Sequence, residues 1–231
     1  MVGGSEIGGI VMRKIGAGVG AIFGLGILLV GIAWAAGLRA QDLGAVGIFE
    51  GHGDVGDVGA DYQGSVEYDA AKKSYLVAGS GENMWGGADE FQLAWKKMSG
   101  NVEVSAEITF LGQGKNPHRK AVVMVRQSLD ADSAYADVAL HGVGLTSLQY
   151  REEKGAITKE VQATFSAPKQ IRLVKKGAVF TMWLAGEDGK FVLAGTSPAI
   201  ALKEPFYVGI GVCSHEKDVV ERVVFEKVEV R

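Results

Sequence analysis

The sequence has only one cysteine, Cys213, among its 231 residues. An internal disulfide is therefore excluded, and the fold must be stabilised by packing and hydrogen bonds alone. Because Cys213 lies within the apolar run VGIGVCS, we expect a small buried hydrophobic residue rather than a nucleophile. It also lies far from the N-terminus, which excludes lipidation of an N-terminal cysteine.

The sequence also lacks an excess of basic residues. It contains 24 Lys and Arg against 27 Asp and Glu, a net charge of −3. Three of the basic residues and one acidic residue lie within the first 40 positions, so the remainder has a net charge of about −5. A nucleic-acid partner is disfavoured, since phosphate binding requires a basic surface.

The common catalytic motifs are missing as well. There is no GxSxG elbow, HExxH, CxxC or glycine-rich phosphate loop followed by a helix. Glu103 and Glu107 share a strand face opposite apolar residues, so we interpret them as a solvated surface rather than a glycosidase pair. Four histidines are dispersed along the chain without zinc-site spacing: His52, His118, His141 and His215. The sequence therefore leaves any catalytic residue unknown and predicts no metal site.

The first 40 residues resemble an export signal. Arg13 and Lys14 precede an uncharged run over 15–36, and small residues follow it. This pattern is typical of a cleaved signal peptide. Cleavage after Ala40 is favoured over cleavage after Ala35, which leaves residues 41–231 as one domain of about 190 residues.

Two further hypotheses concern this segment. Met12, directly before the basic pair, would be a more ordinary start for a signal peptide than Met1. The alternative to cleavage is a retained membrane anchor, because about 20 apolar residues span a bilayer. We expect an exported protein, periplasmic or extracellular, that contacts a membrane only if this segment is uncleaved.

The rest of the chain is typical of an all-β protein. Residues 101–111 alternate between apolar and polar side chains, which indicates a strand with one face toward a core. Asp188-Gly189 predicts a hairpin, and ERVVFEKVEVR is expected to be a closing strand that pairs near the start of the domain. About a dozen strands at this spacing favour a jelly-roll sandwich of two antiparallel sheets.

A glycine- and aspartate-rich segment over 42–65 offers one possible cofactor site. Asp54, Asp57 and Asp61 are close enough in sequence to hold a calcium ion, which prefers clustered oxygen ligands. Their spacing matches no known calcium loop, so a solvated loop without a cofactor is the favoured interpretation.

The stretch from Lys120 to Arg151 carries an unusual number of polar residues in three apolar strands. We predict that it forms a binding surface for a polar ligand. Loop residues are expected to complete this surface, with Trp85 offering a flat ring for a sugar. The predicted ligand-binding residues are Arg126, Asp137, His141, Gln149, Arg151, Trp85, Asn83 and His215. The alternative is a structural network in which an arginine pairs with Asp137.

Several segments, above all RQSLDADSAYAD and VGIGVCSH, resemble a bacterial family. It is the group of exported concanavalin A-like or laminin G-like β-sandwich domains often described as TolB-like or biopolymer-transporter proteins. The resemblance covers Gly47 to Val230 and implies a jelly-roll fold, export and the binding of carbohydrate. A weaker likeness of VMVRQ, YADV and LQYR is to the 3-keto-disaccharide hydrolases, which implies glycoside cleavage.

Together these patterns favour an exported binding module for carbohydrate or another small polar ligand, without catalysis. Two alternatives stay open. One is a glycoside-cleaving enzyme that uses the same strands, and the other is a membrane-tethered protein that interacts with the cell envelope.

Overall fold

The computed structural model describes residues 42–231. The predicted signal peptide or anchor, with its cleavage points at Ala35 and Ala40, lies outside the described residues. Within them, no helix has the length and apolar character that crossing a membrane requires. They contain one 3-10 turn and sixteen strands: β1 (Gly51–Val55), η1 (Ala60–Tyr62), β2 (Ser65–Asp69), β3 (Ser74–Gly81), β4 (Met84–Trp85), β5 (Ala88–Asp89), β6 (Phe91–Met98), β7 (Val102–Leu111), β8 (Lys120–Arg126), β9 (Tyr135–His141), β10 (Thr146–Arg151), β11 (Lys159–Gln162), β12 (Gln170–Lys176), β13 (Val179–Ala185), β14 (Val192–Ala199), β15 (Phe206–Cys213) and β16 (Glu216–Val230).

Fourteen of these strands form two seven-stranded antiparallel sheets. The order in the first sheet is β1-β6-β15-β8-β9-β10-β11, and in the second it is β14-β13-β12-β7-β16-β3-β2. β4 and β5 pair with each other as a separate short hairpin. The predicted all-β fold of two antiparallel sheets is confirmed.

Alternation along the strands builds the core between the two sheets. In β7, Val102, Val104 and Ala106 are buried against residues of the opposite sheet, as their alternation predicts. In β8, Val123 and Val125 point into the same core. Each such side chain contributes about 1.5–3 kcal/mol through its removal from water.

The turns follow the local sequence. β2 and β3 form a hairpin around the polar break at residues 70–73. β13 and β14 form the hairpin predicted from Asp188-Gly189, where Gly189 has a φ of 68° that a side chain would strain. β16 pairs with β3 on one side and β7 on the other, which confirms the expected closing strand.

β8, β9 and β10 are buried along their whole length. One of their faces packs in the core between the sheets. The other is the outer face of the first sheet, where a second apolar cluster, including Met84, Trp95, Met124 and Tyr135, is covered by the β4-β5 hairpin and the loop between β8 and β9. A sheet buried on both faces explains why these strands read as nearly continuous apolar runs.

Candidate functional site

The polar residues of the central strands lie on one face. Asp137 pairs directly with Gln149, and Tyr135 pairs with both Arg126 and Arg151. Since directly paired residues project to the same side of a sheet, and their neighbours fill the core, this side is the outer face. Five predicted residues share that face: Arg126, Asp137, His141, Gln149 and Arg151. From sequence alternation alone, these residues can be assigned to one face of each strand, but not to one common face of the sheet.

At one end of this face, two arginines and Asp89 form a buried ionic network. Arg151 donates two hydrogen bonds to the Asp89 carboxylate, at 2.9 Å from Nη1 and 2.7 Å from Nη2. Arg126 Nη2 lies 3.5 Å from the same carboxylate, and all three side chains are fully buried. A bidentate guanidinium pair is the geometry that best offsets the cost of burying charge.

This network places Arg126 and Arg151 away from any exposed surface, so neither can contact a ligand in the cleft. The structure instead supports the structural alternative for both, with a corrected partner. The partner is Asp89, because β5 brings its carboxylate directly over the guanidinium groups, whereas Asp137 lies one row further along the sheet, beside Gln149. Asp89 is not among the residues that the sequence predicts for the site.

The arginines also hold the segments that cover the sheet. Arg126 donates to the backbone carbonyls of Ser128 and Asp130, both at 2.6 Å, in the β8-β9 loop. Arg151 donates to the carbonyl of Gly86 at 3.1 Å and thereby ties the β4-β5 hairpin to the sheet. Arg126 and Arg151 therefore affect a binding site only indirectly, by holding the loop and the hairpin in place.

Beyond the arginine network, the same face opens into a cleft of about 280 Å³. Its walls come from β8 to β11, the β4-β5 hairpin and four loops. The lining residues are Asn83, Trp85, His118, Lys120, His141, Leu145, Gln149, Glu160, Gln162 and His215. Five of the predicted residues thus reach one cleft, which we call the polar cleft: Asn83, Trp85, His141, Gln149 and His215.

The hairpin presents one of the cleft's walls. Met84 is fully buried and anchors the hairpin, while the next residue, Trp85, points the other way and is 37% exposed. This contrast follows from strand alternation. Trp95, by comparison, is buried in the apolar cluster on the outer face, as expected for a core aromatic residue.

Three of the four histidines meet in the polar cleft. The ring of His118 lies 5.9 Å from that of His141 and 5.8 Å from that of His215. His215 has a φ of 62°, a left-handed backbone conformation that is uncommon for a residue other than glycine. These histidines are far apart in the sequence, and the packing of the sheet and loops brings them together.

His141 is neutral in this setting. Nδ1 lies 3.1 Å from the carbonyl oxygen of Leu145, which can only accept, so Nδ1 carries the hydrogen and Nε2 is an acceptor. Burial lowers the pKa of His141 to about 4, and the nearby Lys120 charge acts in the same direction. Burial also lowers the pKa of His215.

Lys120 lies on the floor of the cleft. Its ammonium donates to Asn83 Oδ1 at 2.9 Å and to the Met84 carbonyl at 3.2 Å, and it lies 5.7 Å from the centre of the Trp85 ring. The side chain is 2% exposed. Burial lowers the pKa of the Lys120 amine, against the opposing influence of nearby acidic groups.

One acceptor on the cleft lining, Gln149 Oε1, lacks a hydrogen-bond partner within residues 42–231. The fully buried carboxyl group of Asp137 lies directly beside Gln149 on the sheet, where the backbone N–H of Gln149 acts on it as a donor. Burial raises the pKa of Asp137 well above its usual range, although the charges of Lys120 and Arg126 oppose this. Buried polar atoms without partners are rare in folded proteins and indicate unused binding capacity.

Comparison with known proteins gives no family. No family model matches the chain, and no curated protein matches it. A functionally unknown protein from Saccharomyces cerevisiae has a similar structure, with a TM-score of 0.56 and 12% identity over 72% of this chain and 91% of its own. A protein of unknown function from Shewanella oneidensis MR-1 has a TM-score of 0.51 and 13% identity over 81% of this chain and 84% of its own.

A third similar structure is Bacteroides ovatus xyloglucan PUL GH43B. It has a TM-score of 0.50 and 10% identity, and the match covers 82% of this chain but 38% of that one. The fold is a jelly-roll β-sandwich. At these identities the likeness shows the fold alone, and the resemblance to TolB-like proteins stays a prediction.

Several cleft residues were missed by sequence reasoning. Lys120 shares the two-residue period of Val122, Met124 and Arg126, so its place on the same face could have been predicted. Glu160 and Gln162 reach the cleft only because β11 pairs with β10. His118 lies on a loop whose path no local pattern predicts.

The described residues give no support to a calcium site at Asp54, Asp57 and Asp61. Among residues 42–231, no group of three or more histidine, cysteine or acidic side chains is placed to hold a metal ion. Asp54 accepts a hydrogen bond from the backbone of Gly64, and Asp57 accepts one from Gly59. Asp54 and Asp57 thus accept hydrogen bonds from backbone N–H groups of their own loops, a role for which aspartate is favoured in turns.

Cys213 has the expected structural role. It is fully buried on β15, and burial raises the pKa of its thiol to about 11. A thiol in this state is a poor nucleophile, because the reactive form is the thiolate.

Proposed function

We propose that this protein is a binding module for a carbohydrate or another small, hydroxyl-rich ligand, and that the ligand occupies the polar cleft. The observation that carries the proposal is the presence, in one cleft, of an exposed indole, Trp85, and a buried acceptor without a partner, Gln149 Oε1. A binding pocket needs both an apolar surface and a few fixed polar groups.

The cleft chemistry matches the two faces of a sugar ring. The Trp85 ring offers a flat apolar surface for the C–H face of the sugar. Gln149 Oε1 and His141 Nε2 are acceptors for hydroxyl hydrogens, while Lys120 donates from the floor. Because Gln149 and His141 are almost fully buried, their positions are fixed before binding.

The name of the Bacteroides ovatus protein refers to xyloglucan, a polysaccharide. Its identity to this chain is 10%, so it supports a shared fold and no shared ligand. The argument therefore depends on the cleft residues themselves.

The test begins with a glycan array and continues with calorimetric titration of the sugars that bind. Trp85→Ala is expected to weaken binding by about tenfold or more, the loss that corresponds to a stacked ring worth about 1.5 kcal/mol. Phe165→Ala is the matched control, since Phe165 is 38% exposed but does not line the cleft. Equal affinities of the two variants would contradict the proposal.

Glycoside cleavage is the second candidate function, and one observation favours it. Asp137 and Glu160 are the direct cross-strand neighbours of Gln149 on either side, so two strand spacings, about 10 Å, separate their backbones. The raised pKa of Asp137 suits a proton donor, and Glu160 on the cleft lining could act as a base. Asp137 is fully buried and does not line the cleft, so this candidate requires a movement of its side chain toward the substrate. Release of reducing sugar that is lost in both Asp137→Asn and Glu160→Gln would establish this candidate over simple binding.

We also propose that the domain is exported, periplasmic or extracellular. The support is the basic pair and apolar run within residues 1–40 of the sequence. Fractionation of cells, with N-terminal sequencing of the product, would distinguish a chain starting near Gln41 from one retained in the membrane.

A further inference from the structure

Lys120 differs from the other buried cations around the first sheet. Arg126 and Arg151 share the Asp89 carboxylate, and the buried Arg119 lies 2.6 Å from Glu221. The ammonium of Lys120 has two neutral acceptors, an amide oxygen and a backbone carbonyl, and none of the ion pairs found among residues 42–231 includes it. A buried cation normally requires an opposite charge.

The lack of a carboxylate does not by itself identify a site, as Lys175 shows. Lys175 is also buried, donates to the Gly100 carbonyl at 3.0 Å and packs 4.7 Å from the centre of the Phe206 ring. It lies on β12 of the second sheet and does not line the polar cleft. Lys120 is different because its amine is at the floor of a cleft.

Three histidines surround the same end of the cleft. His118, His141 and His215 form one cluster there, and Lys120 pairs directly with His141 across β8 and β9. The acidic residue of the cleft, Glu160, is in the row of Asp137, four residues from His141 along β9 and thus about 13 Å away at the backbone. Glu160 also accepts a hydrogen bond from Gln162 at 2.6 Å. The charges of Asp137 and Glu160 act to raise the pKa of the Lys120 amine, but neither carboxylate forms an ion pair with it, so the ammonium has only neutral groups in contact.

We infer that the ligand of the polar cleft is an acidic saccharide, and that its carboxylate binds at the Lys120 end, within reach of the three histidines. This inference rests on the proposed function, because it assigns a charge to the ligand of the same cleft. The carboxylate supplies the counter-charge that Lys120 lacks, and the third N–H of the ammonium is available to it. The remaining hydroxyls then extend toward Gln149 and Glu160.

The protonation of Lys120 is consistent with this assignment. Burial lowers the pKa of its amine, so the free protein bears the cost of a desolvated ammonium. A bound carboxylate favours the protonated form and removes much of that cost. A neutral sugar provides no such compensation.

The experiment compares matched ligands. Oligosaccharides of glucose, galactose and mannose are titrated calorimetrically beside the corresponding uronates, at one pH and one ionic strength. At least one uronate is expected to bind the wild-type protein about tenfold or more tightly than its neutral counterpart, as a charge-assisted hydrogen bond implies. Lys120→Met is expected to abolish this preference, while Lys175→Met, the buried-lysine control, retains it.

The outcomes separate the two proposals. Binding of a neutral sugar with equal affinity for its uronate would overturn the acidic-ligand inference and leave the proposed function standing. Absence of binding to every member of the panel would overturn both. If Lys120→Met fails to fold in a thermal melt, methyl esters of the uronates provide the same comparison on the wild-type protein, and equal affinity for acid and ester would refute the inference.

Discussion

Single residues on the outer face of the first sheet have protonation states set by burial. His141 is 4% exposed, and its ring is fixed by the hydrogen bond from Nδ1 to the Leu145 carbonyl. The imidazolium form would have to be desolvated beside Lys120, so the neutral form is favoured in the folded protein. In the unfolded chain the imidazole is solvated, so its protonation carries no such cost.

This difference predicts a loss of stability in mild acid. The pKa of His141 is about 4 in the folded protein and about 6.5 when the residue is solvated. Between these values the unfolded chain binds a proton that the folded chain does not, so stability falls as the pH decreases from 6.5 toward 4. The contribution lost is up to about 3 kcal/mol, and it is fully present above the unfolded pKa.

Urea denaturation of wild type and His141→Asn at several pH values measures this contribution. The Asn variant is expected to show a shallower decrease in the free energy of unfolding over that pH range. His52→Asn is the comparison, because His52 lies on β1 outside the cleft; burial lowers its pKa as well, so a smaller change in the same direction is expected. Parallel pH profiles for wild type and His141→Asn would refute the prediction.

At the scale of elements, the β4-β5 hairpin depends on one carboxylate. The hairpin is only four strand residues long, and its backbone receives hydrogen bonds from Arg151 and Lys120. Asp89, on the hairpin itself, accepts two charge-assisted hydrogen bonds from Arg151. Such a short hairpin would not be stable alone in water, so these contacts hold Trp85 at the cleft.

Asp89→Asn is therefore expected to destabilise the protein and to release the hairpin. The substitution leaves two buried guanidinium groups without a counter-charge, which costs about 3–5 kcal/mol. Hydrogen exchange at residues 83–90 should accelerate more than exchange in the central strands. The measurement is native-state hydrogen exchange followed by mass spectrometry.

The control for this prediction is Glu221→Gln, which breaks the other buried ion pair, between Arg119 and Glu221 at 2.6 Å. A comparable loss of stability is expected there, without faster exchange in the hairpin. If both variants affect residues 83–90 equally, the hairpin is responding to global stability and Asp89 does not specifically hold it.

The strands and their faces were largely predictable from sequence, and the site only in part. Two-residue alternation locates β7, because one buried face imposes that period. In β8 to β10, which are buried on both faces, the spacing of the polar residues groups them on one face of each strand. The burial of Arg126 and Arg151 was not predictable. It depends on Asp89, which comes from a hairpin 62 residues before Arg151 and has no local signal of its position.

At the scale of the whole molecule, the last strand in sequence is an interior strand of the second sheet. β16 lies between β7 and β3, and its Val223 and Phe225 are fully buried in the core. Its pairing partners are more than 100 residues earlier in the chain. The sandwich is therefore completed only when the C-terminal residues join strands formed from the N-terminal half of the domain.

Deletion of residues 216–231 is accordingly expected to prevent folding. The deletion removes two core side chains and splits the second sheet, because β3 keeps only β2 and β7 keeps only β12 as a partner, each with one edge unpaired. Circular dichroism and thermal melting should show no cooperative transition, whereas deletion of Arg231 alone, which loses an ion pair with Glu103 on an exposed side chain, should change the melting temperature little. A cooperative transition in the longer deletion would show that the remaining thirteen sheet strands and the hairpin form a stable unit without β16.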